Sequence, residues 1–500
     1  MTADTDTIRT TTGSRPITAR ESRVIWLLLG AAFVVILNET IMNVAIPHLM
    51  TDLQITALAA QWLTTAFMLT MAVVIPITGF LLQRFTTRQA FIGGMSLFSA
   101  GTLIAGLAPG FEVLLGARVV QASGTAIMMP LLMTTIMNLV PPNARGRMMG
   151  RVSVVISVAP AIGPTLSGVI LQTLGWRWMF GVVFPIALVM LLIGAKWVTN
   201  VGETRRAPID PLSIVLSALG FGGIVYGLSQ IGGASAHGGN ADADAAAATA
   251  TVSLWIALVV GVVALVAFVW RQIRLQRTDD ALLDLRVFRS RNFTISMTQM
   301  LVLSLAFFGS LTVLPLYLQN VKGFTALETG LIVLPGALVM GLTGPLIGRI
   351  YDRWGTEVLV IPGAFLTSAM LWFYSTVGQD TPVPMIVAAQ IVLSLGLAMS
   401  FTPLFTASLG SLERRFYSYG SAVVGTVQQV AGAAGIAVFI TVLSGVAAAG
   451  IAGGAEDVAA QADGVRAAFQ VGAVVSLLSV IGSFFVRKPA DQPGVAPMAH

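Results

Sequence analysis

Val24 to Leu37, Met68 to Leu82, Leu254 to Val269 and Val471 to Val486 are nearly free of charge, and similar segments recur along the whole chain. A surface helix of a water-soluble protein keeps one polar face. These segments have none, and a bilayer crossing takes about 20 such residues in succession. Only 10% of the residues are charged and 56% are hydrophobic, against about 25% charge in a typical soluble domain. The chain is therefore expected to fold as an all-α polytopic membrane protein.

Apolar runs and turn residues place fourteen transmembrane helices. The first six cover 24–47, 58–82, 90–108, 112–139, 147–172 and 178–199. Helices 7 and 8 cover 210–231 and 251–271, and the last six cover 292–319, 327–349, 357–377, 383–409, 419–447 and 466–486. Pro141-Pro142, Pro208 and Pro211 punctuate loops, and the Gly/Ala/Asp-rich stretch Gly232 to Ala250 is expected to be a flexible surface loop. The first apolar run continues to Pro47, too long for the apolar core of a signal peptide, so it reads as an uncleaved helix.

Two copies of one plan are legible. Gly79-Phe80-Leu81-Leu82-Gln83-Arg84-Phe85-Thr86 follows helix 2, and Gly348-Arg349-Ile350-Tyr351-Asp352-Arg353-Trp354-Gly355 follows helix 10 at the offset that also carries helix 1 to helix 9. The expected organisation is a segment 1–23, a six-helix bundle 24–200, a linker 201–291 with two inserted helices, a second six-helix bundle 292–487 and a tail 488–500. Repeated halves around a central site are a recurring plan of secondary transporters.

Charge sets the orientation. Of 28 Lys and Arg, all but Arg118, Arg177, Lys322 and Arg466 fall on one side of the predicted membrane. The positive-inside rule then puts both termini in the cytoplasm of a multi-pass protein of the cell membrane. The net charge of +6 sits in short loops and is not read as a nucleic-acid surface. The densest basic loop, Arg271 to Arg291, would lie on the cytoplasmic face, where its charges read first as fixing topology and second as meeting anionic lipid.

Several functions are excluded by what is missing. There is no cysteine, so neither disulfides nor thiolate metal sites arise. His48, His237 and His500 are scattered and suggest no metal. Lys196, Lys322 and Lys488 follow Ala195, Val321 and Arg487, so no Gly-Lys-Ser/Thr of a P-loop exists and direct ATP use is not expected. No nucleophile elbow appears in a catalytic context, and no enzyme is expected. An ion or solute gradient is left to drive transport, with no cofactor.

Charge inside a bilayer is costly and usually functional. Glu39 in helix 1 lies about 12 Å from Pro47, and Arg118 in helix 4 lies about 10 Å from Phe111, so both reach one level. Either they exchange a proton during transport, or they form a static ion pair between two helices. Gln121, Thr125 and Met128 follow Arg118 at helical spacing, with Met129 and Met133 nearby, and read either as a pliable ligand surface or as core filler. Trp62 and Phe67 offer ring faces to a planar or cationic ligand, although Trp62 also suits an interfacial anchor. Gln299, Phe307 and Phe308 are their counterparts on helix 9. Glu328 opens helix 10 and reads first as a helix-start acid.

These motifs resemble the major facilitator superfamily, in its fourteen-helix drug/proton antiporter branch (QacA/EmrB-like), over nearly the whole chain. Gly79 to Arg88 is similar to the family's loop motif, with Gln83 and Thr86 where Asp and Gly are usual; the second copy keeps Asp352 and Gly355. The resemblance implies that Gly79, Arg84, Arg88, Gly348, Asp352, Arg353 and Gly355 act in gating, with charged contacts across the helix ends. Arg118 and Gln121 match the helix 4 motif, whose Arg is implicated in proton coupling. Gly150, Ala159, Gly163, Pro164, Ser167 and Gly168 resemble the antiporter motif of helix 5, which is associated with exporters; Pro164 would bend that helix. Asn38, Thr40, Asn43, Ala45 and Pro47 resemble the helix 1 motif, with Asn38 at the usual acid position, Glu39 beside it and Asn43 toward the substrate.

The expected function is proton-coupled efflux of lipophilic, cationic compounds by alternating access, by a protein working as a monomer. The alternatives are an exporter of an endogenous lipid or metabolite, and a receptor or scaffold that no longer transports.

Overall fold

The computed structural model describes residues 18–489 apart from 202, 203, 205–207, 209 and 235–240. Among the described residues there are fourteen α-helices and no strand. In chain order they are α1 (Ala19–Asp52), α2 (Ala57–Arg84), α3 (Thr87–Gly106), α4 (Phe111–Leu139), α5 (Arg145–Thr173), α6 (Arg177–Trp197) and α7 (Pro211–Ala234). There follow α8 (Ala241–Leu275), α9 (Arg291–Leu316), α10 (Ala326–Trp354), α11 (Glu357–Tyr374), α12 (Val383–Gly410), α13 (Tyr417–Ala452) and α14 (Asp457–Ser483). Thirteen carry an apolar stretch long enough to cross a membrane. The remaining one, α5, is 29 residues long, and its residues 152–169 include no charged side chain.

Local chemistry sets the helix ends. α1, α3 and α10 each open on a reciprocal capping box: Thr18 with Glu21, Thr86 with Gln89, and Thr325 with Glu328. Glu328 is therefore the helix-start acid it resembled. Thr86, which stands where the loop motif usually has Gly, has an extended backbone at φ −65° and needs no glycine there. Gly355, its counterpart, ends α10 at φ +90°, a conformation that favours glycine. The loop expected over 232–250 is shorter than composition suggested, since α7 runs to Ala234 and α8 starts at Ala241. Residues 241–250 are mostly alanine, the strongest helix former, and low complexity concealed that preference. Position 164 lies inside an unbroken α5, and the Pro164 side chain lies outside the described residues.

The packing is written twice. α3 packs on α4 and α6, α2 on α4, and α1 on α5 and α6; α11 packs on α12 and α14, α10 on α12, and α9 on α13 and α14. The crossings α5 with α10 and α2 with α13 join the two sets. The α7–α8 pair belongs to neither set: α8 packs on α7, and α7 is seated against α2 and α13.

Most hydrogen bonds between the two sets gather at one end, where α2 and α10 finish and α5 and α13 begin; Gln429 of α13 also donates to the Met68 carbonyl midway along α2, at 3.4 Å. Asp352 Oδ1 and Oδ2 accept the backbone N–H groups of Gly146 and Arg147 at 2.8 and 2.9 Å. Gln83 Nε2 donates to the Arg415 carbonyl at 2.8 Å, and Arg145 donates to the Tyr417 hydroxyl at 3.1 Å. Thr134 meets Ser421 at 3.1 Å and Ser153 meets Thr402 at 2.6 Å. A β-carbon on Gly150 would overlap the Gly344 backbone, so α5 and α10 cross in main-chain contact.

Candidate functional site

Arg118 stands about two turns into α4 and is 1% exposed. A buried guanidinium is tolerated only when its donors are occupied. Its Nη1 donates to Gln121 Oε1, one turn along the same helix, at 2.7 Å, and its Nε donates to the Leu63 carbonyl of α2 at 3.4 Å. The guanidinium carbon lies 4.1 Å from the centroid of the Phe67 ring. A desolvated cation–π contact of this kind is worth about 2 kcal/mol. Leu63 and Phe67 are four residues apart on α2, hence on one face, so a single helix supplies both the carbonyl and the ring.

Gln121 is itself held. Its Nε2 donates to Thr102 Oγ1 on α3 at 2.8 Å, and Thr102 Oγ1 donates to the Phe98 carbonyl at 2.7 Å. The threonine proton is thereby committed, so the nitrogen of Gln121 faces Thr102 and its oxygen faces Arg118. Close approach of α3 and α4 makes this possible, because a β-carbon on Gly101 would come within 2.5 Å of the Gln121 backbone nitrogen.

Glu39 is half-buried on α1, which packs against α4. The charges of Glu39 and Arg118 act on each other. No ion pair within 4.0 Å joins them among the described residues, so the static staple, the alternative to proton exchange, is absent here. Arg118 spends its donors on α2 and α4 instead. Just beyond Glu39, α5 presses on α1: a β-carbon on Gly163 would overlap Thr40, and Ser167 Oγ donates to the Ile41 carbonyl at 3.0 Å. Gly168 faces open space.

Several expected ligand contacts are used for packing. Thr125 donates to the Gln121 carbonyl of its own helix at 3.0 Å. Met128 is fully buried against Gly94 of α3. Gln299 is 3% exposed and donates to the Ser479 carbonyl of α14 at 3.0 Å. The Trp62 ring stacks on Tyr226 of α7 with centroids 5.8 Å apart. Asn43 lies on α1, and its side chain is outside the described residues. Phe307 and Phe308 are half-buried and pack edge to face at 5.1 Å, with Phe401 of α12 6.0 Å from Phe307.

A family model described as Major Facilitator Superfamily matches residues 28–436. The chain belongs to the major facilitator superfamily. It is 41% identical over 471 residues to the uncharacterized MFS-type transporter YcnB of Bacillus subtilis, covering 94% of this chain and 95% of that one. It is 38% identical to the lincomycin resistance protein LmrB of the same organism, covering 92% and 95%. The fold is similar to the crystal structure of the human organic anion transporter MFSD10, with TM-score 0.62, 14% identity and coverage of 93% and 99%.

The superfamily motifs hold this transporter together differently from what charge alone suggested. Asp352 caps the start of α5 through backbone amides, not through the arginine side chains of the loop motifs. Arg353 lies over Trp354 at 5.3 Å, and the Arg88 amide donates to Asn200 at 3.4 Å. Gly79 meets Tyr419 and Ala422 of α13, and Gly348 meets Gly146. Arg84 lies half-buried at the end of α2. Sequence reading missed Leu63, Thr102, Arg145, Tyr417 and Phe401. The repeat offset was the available signal for one relation: it carries Gln121 to Gln390, whose oxygen meets the Tyr374 hydroxyl of α11 at 3.2 Å. The same offset carries Glu39 to Phe308, Phe67 to Gly336 and Arg118 to Val387. Both halves keep the amide between two helices, and only the first keeps the charges.

Proposed function

We propose that this transporter is a proton-coupled exporter of lipophilic, cationic compounds. It works as a monomer, with all fourteen helices crossing the cell membrane and both termini in the cytoplasm. The observation that carries the reading is Glu39, half-buried beside a fully buried Arg118 that another set of partners already holds. A carboxylate near a cation, yet outside ion-pair distance, is suited to gaining and losing a proton. The aromatic group of Phe307, Phe308 and Phe401 supports an apolar half to the substrate surface, opposite a charged half at Glu39. Contacts between the halves at the end rich in arginine support a state closed toward the cytoplasm.

In the cycle, protonation of Glu39 from outside removes the carboxylate that attracts a cationic substrate, which leaves. Rocking of α1–α6 against α9–α14 then exposes Glu39 to the cytoplasm, where it loses the proton and takes the next substrate. Exchange of one proton for one monovalent cation moves no net charge, so the pH difference across the membrane drives this cycle, at about 1.4 kcal/mol per pH unit. The name of LmrB supports including lincomycin among the test compounds.

The test uses purified protein in liposomes with a pH-sensitive dye inside, lipophilic cations and lincomycin outside, and an imposed proton gradient. Proton movement triggered by a compound in the wild type, and lost in Glu39→Gln, is the expected result. Export that continues unchanged in Glu39→Gln would refute the coupling role. Absence of proton movement with every compound would favour an endogenous lipid or metabolite as cargo.

A further inference from the structure

Phe67 offered a ring to a ligand on sequence grounds, yet it is 1% exposed and its face is occupied by Arg118. A ligand cannot stack where the guanidinium already lies. The ring sits one turn from Leu63, whose carbonyl takes the Arg118 Nε, while Gln121 takes Nη1 from the other side. Three groups from two helices thus fix the guanidinium laterally. Its distance from Glu39 is therefore set by α2 and α4, not by the attraction between the two charges. Without such restraint a guanidinium near a carboxylate closes to a bidentate pair.

The surroundings leave Glu39 and Arg118 as the charged groups of this interior. The helices packed on α1 and α4 carry their other charges nearer to a helix end than Arg118 or Glu39 lies. These are Arg20, Glu21, Arg23, His48 and Asp52 on α1, Arg84 on α2, Arg88 on α3 and Glu112 on α4. On α5 they are Arg145, Arg147 and Arg151, and on α6 Arg177 and Lys196; α13 adds the phenols Tyr417 and Tyr419 at its start.

We infer that Phe67 is a positioning residue of the coupling site: its ring holds Arg118 beside Glu39 and short of an ion pair, and so sets the pH range in which Glu39 exchanges its proton. The inference rests on the coupling role of Glu39. Replacing the ring by an aliphatic side chain frees the guanidinium to approach the carboxylate. A closer opposite charge favours the ionised carboxylate, so a lower pH is needed to protonate it. Tyr and Trp keep a ring face for the cation, and Trp offers the stronger one.

The experiment follows the carboxylic-acid infrared band of full-length protein in liposomes as pH is varied. The Glu39 contribution is isolated by subtracting Glu39→Gln spectra, so no substrate is required. Phe67→Leu is expected to move the midpoint to lower pH by about one unit, a ten-fold fall in proton affinity. Phe67→Tyr and Phe67→Trp are expected to stay close to the wild type. Gln121→Leu loosens the same guanidinium from the opposite side and is expected to shift the midpoint the same way; it keeps the test decisive if Phe67→Leu fails to fold. A Glu39 band that titrates in the wild type but does not move in Phe67→Leu or Gln121→Leu would overturn the inference and leave the coupling role standing. A wild type with no Glu39 band titrating between about pH 4 and 10 would instead remove the coupling role itself.

Discussion

Gln121 serves two partners and has one arrangement that satisfies both: oxygen to Arg118, nitrogen to Thr102. Leucine at this position keeps the volume and removes the acceptor for a buried cation. Gln121→Leu is expected to cost about 1–3 kcal/mol, visible as a lower melting temperature in detergent, while Gln121→Glu retains an acceptor and costs less. The Arg118–Gln121 relation was legible because residues three apart share a helix face. Thr102 was not, since it reaches the site from a neighbouring helix and is one threonine among many. Phe67 was legible as an aromatic near a charge, but its partner was not, because sequence does not distinguish an internal cation from a ligand. The alternative of a static Glu39–Arg118 ion pair could not be decided from sequence for a related reason. Equal depth in the membrane permits contact, and competition from the Leu63 carbonyl, the Phe67 ring and Gln121 decides against it.

At the scale of elements, the junction of α5 and α10 depends on small residues and on one carboxylate. Asp352 accepts the first free amides of α5, so it acts as a cap supplied from the other half of the molecule. Asp352→Ala is expected to remove about 1 kcal/mol from the closed arrangement. Gly150→Leu is expected to force α5 away from α10, since no space exists beside Gly344. The chain has no cysteine, so a cysteine pair introduced at Gln83 and Arg415 reports closure directly. Its yield with a short bismaleimide is expected to fall in both variants. The inserted pair α7–α8 has a polar seam of its own. Arg271 grips Asp210 at 2.7 and 2.9 Å, Ser213 donates to Asp210 at 2.6 Å, and Gln272 donates to Ser213 at 2.8 Å. The Arg271 guanidinium holds the Asp210 carboxyl well below its ordinary range, at about 2. Its contribution to stability is thus complete above about pH 4, the unfolded value, and is lost as pH falls toward 2. Melting temperature measured from pH 7 to pH 3 is expected to fall less in Asp210→Asn than in the wild type. None of this seam was legible, because Asp210, Ser213 and Gln272 are commonplace residues that only the return of α8 brings together.

At the scale of the whole molecule, the twofold plan was the most legible feature. Offsets between glycine-rich motifs make α10 the counterpart of α2 and α13 that of α5, and the packing crosses these counterparts, α2 on α13 and α5 on α10. The division of labour within that plan was hidden, since Gln390 keeps the place of Gln121 while Val387 and Phe308 stand where Arg118 and Glu39 would be. A lone apolar residue in an apolar helix gives no sign of being a lost charge until the halves are aligned. The plan is also broken from outside. Two main crossings join the halves, and α7 is laid along one of them, touching both α2 and α13, with Tyr226 stacked on Trp62. The two hinges are therefore mechanically unequal. Under the proposed rocking, the α5–α10 crossing moves without α7, whereas the α2–α13 crossing must drag or shear a third body. A molecule drawn as a symmetric clamshell is thus closer to a door hung on one reinforced jamb.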